Sequence, residues 1–224
     1  MRPLLDLTKE YGLVLDGGGA RGAYQIGAWK ALKEAGVKIS AVAGTSVGAL
    51  NGALICMDDL EKAEKIWSEM EFSRVMSVDD DWMRQFFQGE QKLGDILAEL
   101  GRVFRDGGVD AAPLRKLIHE NVDEEKIRGC GKEFFIVTFS LTDMKELELS
   151  VSDIPEGRLE DFLLASAYLV GFKNEPMEDG KRYIDGGIFN NVPADVLVEK
   201  GYTDLIEIRI YGPGREPRVS LPED

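Results

Sequence analysis

Short runs of apolar residues alternate along the chain with longer segments in which apolar or small residues recur at helical spacing. The short runs predict strands at 11–15, 39–43, 134–139, 147–151, 181–184 and 205–210. The longer segments predict helices at about 23–35, 49–56, 58–70, 112–121, 159–168 and 192–200. Because predicted strands and helices alternate in this way, we expect an α/β fold around a largely parallel sheet.

The length of the chain, 224 residues, fits one domain that buries its own core, and we expect a single domain over 1–224. The segment 212–224 has three prolines and no apolar period, so we expect an extended tail there. The apolar pattern of residues 72–108 is less regular than that of the predicted helices. Apolar residues in that segment still recur near helical spacing, and packing into the core is the favoured interpretation for Trp82, Phe86, Leu93, Leu97, Leu100 and Phe104.

The charge balance of the chain is strongly acidic, with 41 acidic against 27 basic residues and a net charge of −14 at pH 7. Such a surface repels nucleic-acid phosphates, and no cluster of Lys and Arg relieves it, so we expect no nucleic-acid partner. Broad electrostatic binding to anionic membranes is also disfavoured, although a small apolar surface allows transient membrane contact. No run of about 18 apolar residues occurs, so we expect no membrane-spanning helix.

The cysteine content indicates a reducing compartment. Only Cys56 and Cys130 are present, and they form neither a disulfide framework nor a C-x-x-C zinc motif. The first residues of the chain turn polar too soon for a signal peptide. We therefore expect a cytoplasmic location.

A serine flanked by two glycines, Gly44-Thr-Ser46-Val-Gly48, lies between a predicted strand and a predicted helix. This is the sequence context of a nucleophile elbow, in which a tight turn lifts the serine hydroxyl out of the sheet. The glycines let the chain bend and let the helix pack closely. N–H groups at the start of that helix are then available to negative charge that develops during acyl transfer. A plain glycine-rich turn is the alternative, and the position between strand and helix favours the elbow.

A second glycine-rich segment, Gly17–Gly22, also lies between a predicted strand and a predicted helix. It matches the dinucleotide-binding pattern G-x-G-x-x-G, which makes a Rossmann-type nucleotide-binding protein an alternative. That alternative expects an acidic residue at the end of the next strand, and none occurs between positions 36 and 56. A phosphate-binding P-loop is excluded because no Gly-Lys-Ser/Thr is present. We favour a cluster of backbone N–H groups that binds an oxyanion, formed by Gly17, Gly18 and Gly19, with Arg21 adding positive charge.

The candidate base is a carboxylate. The single histidine, His119, lies in the middle of a predicted helix among charged residues, which does not fit a Ser-His-Asp triad. Asp185 ends a predicted strand and is followed by Gly186 and Gly187. Strand ends on one edge of an α/β sheet converge on the ligand crevice, although an ordinary Asp-Gly turn is the alternative. An exposed Asp is a weak base for a serine hydroxyl, so we expect Asp185 in a desolvated setting that raises its pKa.

Together and in this order, the segments Gly17–Gly22, Gly44–Gly48 and Asp185–Gly187 resemble the three motifs of the patatin-like phospholipase family. Asn191-Val-Pro193 and Pro113-Leu-Arg-Lys are also similar to that family, and the resemblance runs over about 11–210. It implies a three-layer α/β/α sandwich without a metal or a cofactor. It also implies a catalytic dyad of Ser46 and Asp185, an oxyanion site at Gly17–Gly19 with Arg21, and supporting roles for Gly22, Gly44, Gly48, Gly186, Gly187 and Asn191.

The resemblance implies hydrolysis of carboxylic esters of lipids through an acyl-serine intermediate, as in phospholipase A, lysophospholipase or carboxylesterase. The expected partner is therefore a lipid or another acyl ester, and an idle relative that binds lipid or a partner protein is the alternative. Two segments leave the acyl preference open. The loop Ser166–Pro176 lacks the first proline of the family pattern. The apolar residues of 82–104 also fit a lid or an acyl pocket.

Overall fold

A computed structural model describes residues 5–88, 93–173 and 175–211. Within these residues the strands are β1 (Glu10–Leu15), β2 (Lys38–Thr45), β3 (Glu133–Ser140), β4 (Lys145–Ser150), β5 (Tyr183–Asp185) and β6 (Leu205–Ile208). The helices are α1 (Ala23–Glu34), α2 (Val47–Cys56), α3 (Leu60–Ser68), α4 (Asp80–Gln88), α5 (Leu93–Arg105), α6 (Ala112–Asn121), α7 (Glu124–Arg128), α8 (Leu159–Ser166) and α9 (Ala194–Glu199). Short 3-10 helices cover Gly19–Gly22, Phe72–Arg74 and Gly186–Ile188.

The described strands form one sheet in the order β4-β3-β2-β1-β6. The pairs β1–β2, β1–β6 and β2–β3 are parallel, whereas β4 runs antiparallel to β3. β5 also pairs with β3 and is antiparallel to it. The predicted α/β fold with a largely parallel sheet is confirmed, whereas the antiparallel direction of β5 was not predicted from the apolar pattern.

One edge of β3 is shared by two strands. Val137 is the last residue of β3 to pair with β2, and the next residue, Thr138, pairs with Asp185 of β5. The opposite edge of β3 is occupied by β4, which pairs with Thr138 through Leu147. β2 therefore pairs with one edge of β3 as far as Thr45, and β5 pairs with the rest of that edge. This arrangement brings the end of β2 close to β5.

Helices cover both faces of the sheet. Leu13, Leu15 and other strand residues on one face form a large buried core with α1, α2, α3, α6, α7 and α8. Val14 and its neighbours on the opposite face pack against Val196 and Leu197 of α9. Successive strand residues alternate between the two cores, as the pleat of a strand requires. The molecule is the three-layer α/β/α sandwich that the family resemblance implied.

Local sequence explains where several helices begin and end. The Asp59 side chain accepts a hydrogen bond from the Lys62 N–H and caps α3, and Pro113 lies in the first turn of α6. Gly36 follows α1 with φ at +77°, a backbone conformation that favours glycine. The helix predicted at 112–121 has the bounds of α6. The short helix α7 was not predicted, because a helix of 5 residues is too short to show apolar periodicity.

Several expectations concern residues that the structure describes only in part. The segment 212–224 lies outside the described residues, as do the side chains of Leu93, Leu97, Leu100 and Phe104. Trp82 and Phe86 stack on each other with ring centroids 5.4 Å apart, and Phe86 is 39% exposed. Core packing of the whole apolar set therefore stays a prediction. Over the described part of the chain, no helix combines the length and the apolar character needed to cross a bilayer.

Candidate active site

Ser46 lies at a sharp turn between β2 and α2. Its φ is 57° and its ψ is −126°, a strained conformation that a residue other than glycine rarely adopts. The residue is buried, and its carbonyl accepts hydrogen bonds from the Ala49 and Leu50 N–H groups, which anchors the start of the helix. A strained serine between a strand and a helix is the geometry of the nucleophile elbow that the sequence predicts.

Two glycines make this turn sterically possible. A Cβ atom on Gly48 would lie 2.2 Å from the Leu15 carbonyl oxygen, and one on Gly44 would lie 2.4 Å from the Gly48 carbonyl oxygen. Both obstacles are backbone atoms, which cannot move aside as a flexible side chain can. Any side chain at either position would therefore push α2 away from the carboxyl ends of β1 and β2.

Asp185 meets Ser46 because of the register along β3. Thr45, which precedes Ser46, pairs with Val137, and Asp185 pairs with the next residue of β3, Thr138. The Ser46 hydroxyl donates a hydrogen bond to Asp185 Oδ2 over 2.5 Å. The structure thus brings together two residues that are 139 positions apart in sequence.

The Asp185 carboxyl lies in a buried setting. Burial raises its pKa, and the hydrogen bonds from the Ser46 hydroxyl and the Gly187 N–H counteract this in part. The Gly187 N–H donates to Asp185 Oδ1 over 2.8 Å, and the Asp185 N–H donates to the Tyr168 carbonyl. One carboxyl oxygen is therefore held by the backbone, while the other faces the serine. The raised pKa agrees with the desolvated setting that the sequence predicts for Asp185.

His119 lies on α6, outside this cluster. Its side chain is 76% exposed, and Nδ1 lies 3.0 Å from a carboxylate oxygen of Glu160. This position agrees with the expectation that the base is a carboxylate.

Asn191 holds the glycine-rich loop against the turn that follows Asp185. The Gly17 N–H donates to the Asn191 carbonyl over 3.1 Å, and Asn191 Nδ2 donates back to the Gly17 carbonyl over 3.3 Å. A Cβ atom on Gly17 or Gly187 would lie 2.6 or 2.7 Å from Asn191 Oδ1, so both glycines leave room for this side chain. Because the Gly17 N–H is occupied, we narrow the expected oxyanion donors to Gly18 and Gly19.

Gly18 and Gly19 keep their N–H groups available. Among the described residues, no acceptor takes a hydrogen bond from either N–H, and Gly19 lines the cavity beside Ser46. Arg21 takes a different position from the one expected. Its guanidinium lies over the Tyr211 ring, 4.5 Å from the centroid, and Arg21 does not line the cavity. This stacking ties Arg21 to the chain after β6, and a contribution of its charge at the oxyanion stays a prediction.

The remaining supporting glycines allow close packing. A Cβ atom on Gly22 would lie 2.4 Å from Val47 Cγ2, and one on Gly186 would lie 2.6 Å from the Val137 carbonyl oxygen. Gly22 thus brings the glycine-rich loop against the start of α2. Gly186 lets the chain turn immediately after Asp185.

A buried polar network that the sequence did not predict supports the glycine-rich loop. Gln25 Nε2 donates to the Asp16 carbonyl and to Asp16 Oδ1, and both Asp16 carboxyl oxygens accept from the Ile210 N–H. Asn51 Nδ2 donates to Gln25 Oε1 over 2.8 Å, and Trp67 Nε1 donates to Asn51 Oδ1. Burial raises the pKa of Asp16. The only sequence signal for this network was the position of Asp16 directly before the glycines.

Ser46 opens onto a cavity of about 270 Å³. Leu50 and Leu54 follow Ser46 at intervals of four residues on one face of α2, and both line this cavity. Its wall is mostly apolar and includes Ala20, Val47, Ile66, Trp67, Met70, Phe72, Val75, Met76, Leu114, Leu117, Ile118, Val122, Ala167 and Leu169. Gly19 and the polar residues Asn51, Glu71 and Asn121 also line it. Of the segment 72–108, the described cavity-lining residues are Phe72, Val75 and Met76. An apolar wall with a serine at one end suits an acyl chain.

The sequence of this chain is similar to those of known proteins. A family model described as patatin-like phospholipase matches residues 13–198. Neuropathy target esterase sws of Drosophila melanogaster is 32% identical over 203 residues, which cover 89% of this chain and 13% of that protein. Patatin-like phospholipase domain-containing protein 6 of Homo sapiens is 30% identical over 201 residues, which cover 88% of this chain and 13% of that protein. The chain therefore spans only a small part of these relatives.

The fold also resembles a solved structure, that of VipD from Legionella pneumophila. The TM-score is 0.56 at 17% sequence identity, and the match covers 88% of this chain and 49% of that chain. This structural likeness supports the fold alone. The family model and the relatives show to which family the sequence belongs. The family model reaches across the glycine-rich loop, the serine elbow and the Asp185 turn, and the chain belongs to the patatin-like phospholipase family.

Proposed function

We propose that the chain hydrolyses carboxylic esters of lipids through a dyad of Ser46 and Asp185, with an acyl-serine intermediate. The observation that carries this proposal is the 2.5 Å hydrogen bond from the Ser46 hydroxyl to a buried carboxyl at a strained elbow. A raised pKa makes the Asp185 carboxylate a stronger base than an exposed aspartate. Membership in a family named for phospholipases supports lipid esters as the substrate class.

The first half of the reaction forms the acyl-enzyme. Asp185 takes the proton of the Ser46 hydroxyl while the serine oxygen attacks the ester carbonyl carbon. The carbonyl oxygen becomes an oxyanion, which accepts hydrogen bonds from the Gly18 and Gly19 N–H groups. N–H groups at the start of α2, which begins at Val47, add positive potential there. The bond to the leaving oxygen then breaks, the alcohol departs with the proton from Asp185, and the acyl group stays on Ser46.

The second half of the reaction releases the acid. Asp185 takes a proton from water, whose oxygen attacks the acyl-serine carbonyl. The same N–H groups bind the second oxyanion. The bond between the carbonyl carbon and the Ser46 oxygen breaks, the proton returns to Ser46, and the carboxylic acid leaves.

The partner in this proposal is a lipid or another acyl ester. The acyl chain lies in the apolar cavity, which starts at Ser46 and follows the face of α2 that carries Leu50 and Leu54. Leu169 lines this cavity, and the adjacent Val170 is 73% exposed, which provides a small apolar surface where the protein meets its substrate. We include a cytoplasmic location in the proposal because Cys56 and Cys130 are free thiols.

Labelling with an alkyl fluorophosphonate tests the nucleophile. We expect intact-mass spectrometry to show one adduct on the wild type and none on Ser46→Ala, because the reagent reacts with an activated serine. Ser68→Ala is the matched control, since it removes an exposed hydroxyl of α3, and it is expected to label like the wild type. An unchanged adduct on Ser46→Ala, or no adduct on folded wild type, would contradict the proposal.

Hydrolysis of p-nitrophenyl esters of increasing acyl length tests the cavity. Each buried methylene contributes about 0.8 kcal/mol, so kcat/KM is expected to rise about fourfold per methylene until the cavity is filled. Leu50→Trp places a larger side chain in the cavity next to Ser46 and is expected to lower kcat/KM for long chains but not for acetyl esters. The control Leu7→Trp changes an exposed residue. Equal losses for acetyl and long-chain esters in Leu50→Trp would place the acyl chain elsewhere.

A further inference from the structure

A buried hydroxyl lies between the nucleophile and the strand that aligns its base. Ser166, the last residue of α8, is fully buried. Its Oγ accepts a hydrogen bond from the Ser46 N–H over 2.8 Å and donates one to the Val137 carbonyl over 2.6 Å. The hydroxyl therefore donates its one hydrogen to β3 and accepts a hydrogen bond from the elbow.

The position of this hydroxyl follows from the ladder between β2 and β3. The Phe134 carbonyl accepts from the Val151 N–H, directly after β4, so it points toward β4. Carbonyl directions alternate along a strand, and the Val137 carbonyl, three residues later, points toward β2. Thr45 pairs with Val137, so a continuing parallel ladder would direct the Ser46 N–H onto that carbonyl. The Ser166 hydroxyl is inserted at that point instead.

This insertion has a geometric consequence for the dyad. A direct bond would draw the Ser46 N–H to within about 3 Å of the Val137 carbonyl, closer to β3 than the inserted hydroxyl allows. With one hydroxyl inserted, the Ser46 backbone is held away from β3 and turns at φ 57°. The edge of β3 beyond Val137 is then free for β5, whose Asp185 pairs with Thr138.

We propose that Ser166 is a positioning residue whose hydroxyl acts as a spacer between Ser46 and β3 and so aligns the Ser46 hydroxyl with Asp185. This inference rests on the proposed role of Ser46 as nucleophile. Ser166 does not line the cavity, although its neighbour Ala167 does. Loss of the hydroxyl therefore affects the chemical steps on bound substrate and not the binding of the acyl chain.

Ester hydrolysis by Ser166→Ala tests the alignment. We expect kcat to fall about 10- to 100-fold, because a displacement on the order of 1 Å in a reacting group has effects of this size. KM is expected to stay within about a factor of two. Ser140→Ala is the matched control: Ser140 is a fully buried serine of β3, but its hydroxyl bonds to Asp143. This variant loses a buried hydroxyl as well and is expected to keep the wild-type kcat.

Hydrogen exchange at the Ser46 amide gives a second measurement that does not need activity. The Ser46 N–H is buried and bonded to Ser166, so we expect slow exchange in the wild type and in Ser140→Ala, and faster exchange in Ser166→Ala. If the wild type hydrolyses no ester and no serine is labelled, the proposed function fails. The exchange measurement still decides whether Ser166 holds the elbow.

The proposal is overturned if folded Ser166→Ala keeps the wild-type kcat and the wild-type exchange rate at Ser46. It is also overturned if Ser140→Ala loses as much kcat as Ser166→Ala, because the loss would then reflect stability alone. Where Ser166→Ala does not fold, the same two measurements are made on Ser166→Cys, which fills the space with a weak hydrogen-bonding group. Wild-type kcat together with a wild-type exchange rate at Ser46 in folded Ser166→Cys contradicts the proposal, because a thiol is too weak an acceptor to replace the hydroxyl bonded to the Ser46 N–H.

Discussion

Asp185→Asn is expected to abolish most ester hydrolysis and, at neutral pH, to raise the melting temperature of the protein. Loss of a general base lowers kcat by about 10²- to 10⁴-fold. The variant is expected to be more stable than the wild type. Burial raises the pKa of the Asp185 carboxyl, so the folded wild type at neutral pH carries a charge that its surroundings disfavour. An amide carries no charge and still offers an oxygen to the Gly187 N–H. Both effects are measured on one sample by esterase kinetics and calorimetry.

The raised pKa of Asp185 also determines how stability and activity depend on pH. The folded state binds the Asp185 proton more tightly than the unfolded chain, so the cost of ionisation is fully present above the folded pKa and disappears as pH falls below the unfolded value. The melting-temperature advantage of Asp185→Asn is therefore expected to be largest at neutral pH and to shrink in acid. Wild-type kcat/KM is expected to fall in acid with a midpoint above 3.8, the ordinary value for this side chain.

Asp143→Asn is the control for this experiment. The ammonium of Lys181 and the Ser140 hydroxyl lower the pKa of Asp143, so this carboxylate favours the folded state when it is ionised. Its amide variant is expected to keep full activity and to gain no stability at neutral pH. If Asp185→Asn keeps esterase activity, another group is the base. If it melts below the wild type, the buried carboxylate stabilises the fold and the expected sign is wrong.

Gly48→Ala and Gly27→Ala are expected to change the free energy of unfolding in opposite directions, although both place one methyl group on a helix. In Gly48→Ala the new Cβ lies 2.2 Å from the Leu15 carbonyl oxygen, and relief requires movement of α2 or β1. We expect a loss of about 3 kcal/mol, at the upper end for overpacking, and a melting temperature lower by about 6–12 °C. Esterase activity falls with it, because the same movement displaces Ser46.

Gly27 lies on the exposed face of α1, where a Cβ atom meets no other atom within 4 Å. Alanine there reduces the freedom of the unfolded chain and is expected to add about 0.5–1 kcal/mol. Urea unfolding of both variants, with the slope m compared to the wild type, measures the two changes. Equal responses would show that helix propensity, and not the contact with β1, decides the effect at Gly48.

The sequence predicted those parts of the fold that depend on local patterns. α6 was predicted with its observed bounds because Pro113 and the spacing of Leu114, Leu117 and Ile118 are local signals. Ser46 and Asp185 were each identified as candidates because glycines lie beside them after a predicted strand, and the family resemblance implied that they form a dyad. Their contact was not derivable in this way, because β5 has only 3 residues and its antiparallel pairing has no periodic signature.

Other features depend on distances between segments that are far apart in sequence. The Gly17 N–H was expected to face an oxyanion, but the Asn191 carbonyl, 174 positions later, approaches it first. Arg21 was expected at the same place, and its preference for the Tyr211 ring requires the course of the chain after β6. Ser166 was noted only as the first residue of the loop Ser166–Pro176, because the contacts of its hydroxyl with the elbow and with β3 depend on the fold.

β2 and β5 pair with successive parts of the same edge of β3, and this arrangement determines where the chain tolerates insertions and deletions. The positions of Ser46 and Asp185 are both determined by their register along one strand of 8 residues, not by the chain that connects them. Insertions in the loops between α2 and β3, or between β4 and α8, leave the register of β2 and β5 along β3 unchanged. Deletion of a single residue inside β3 would shift the register by one residue and turn each later side chain to the opposite face of the sheet. Changes in length are therefore expected to be tolerated far better in surface loops of these connections than within β3.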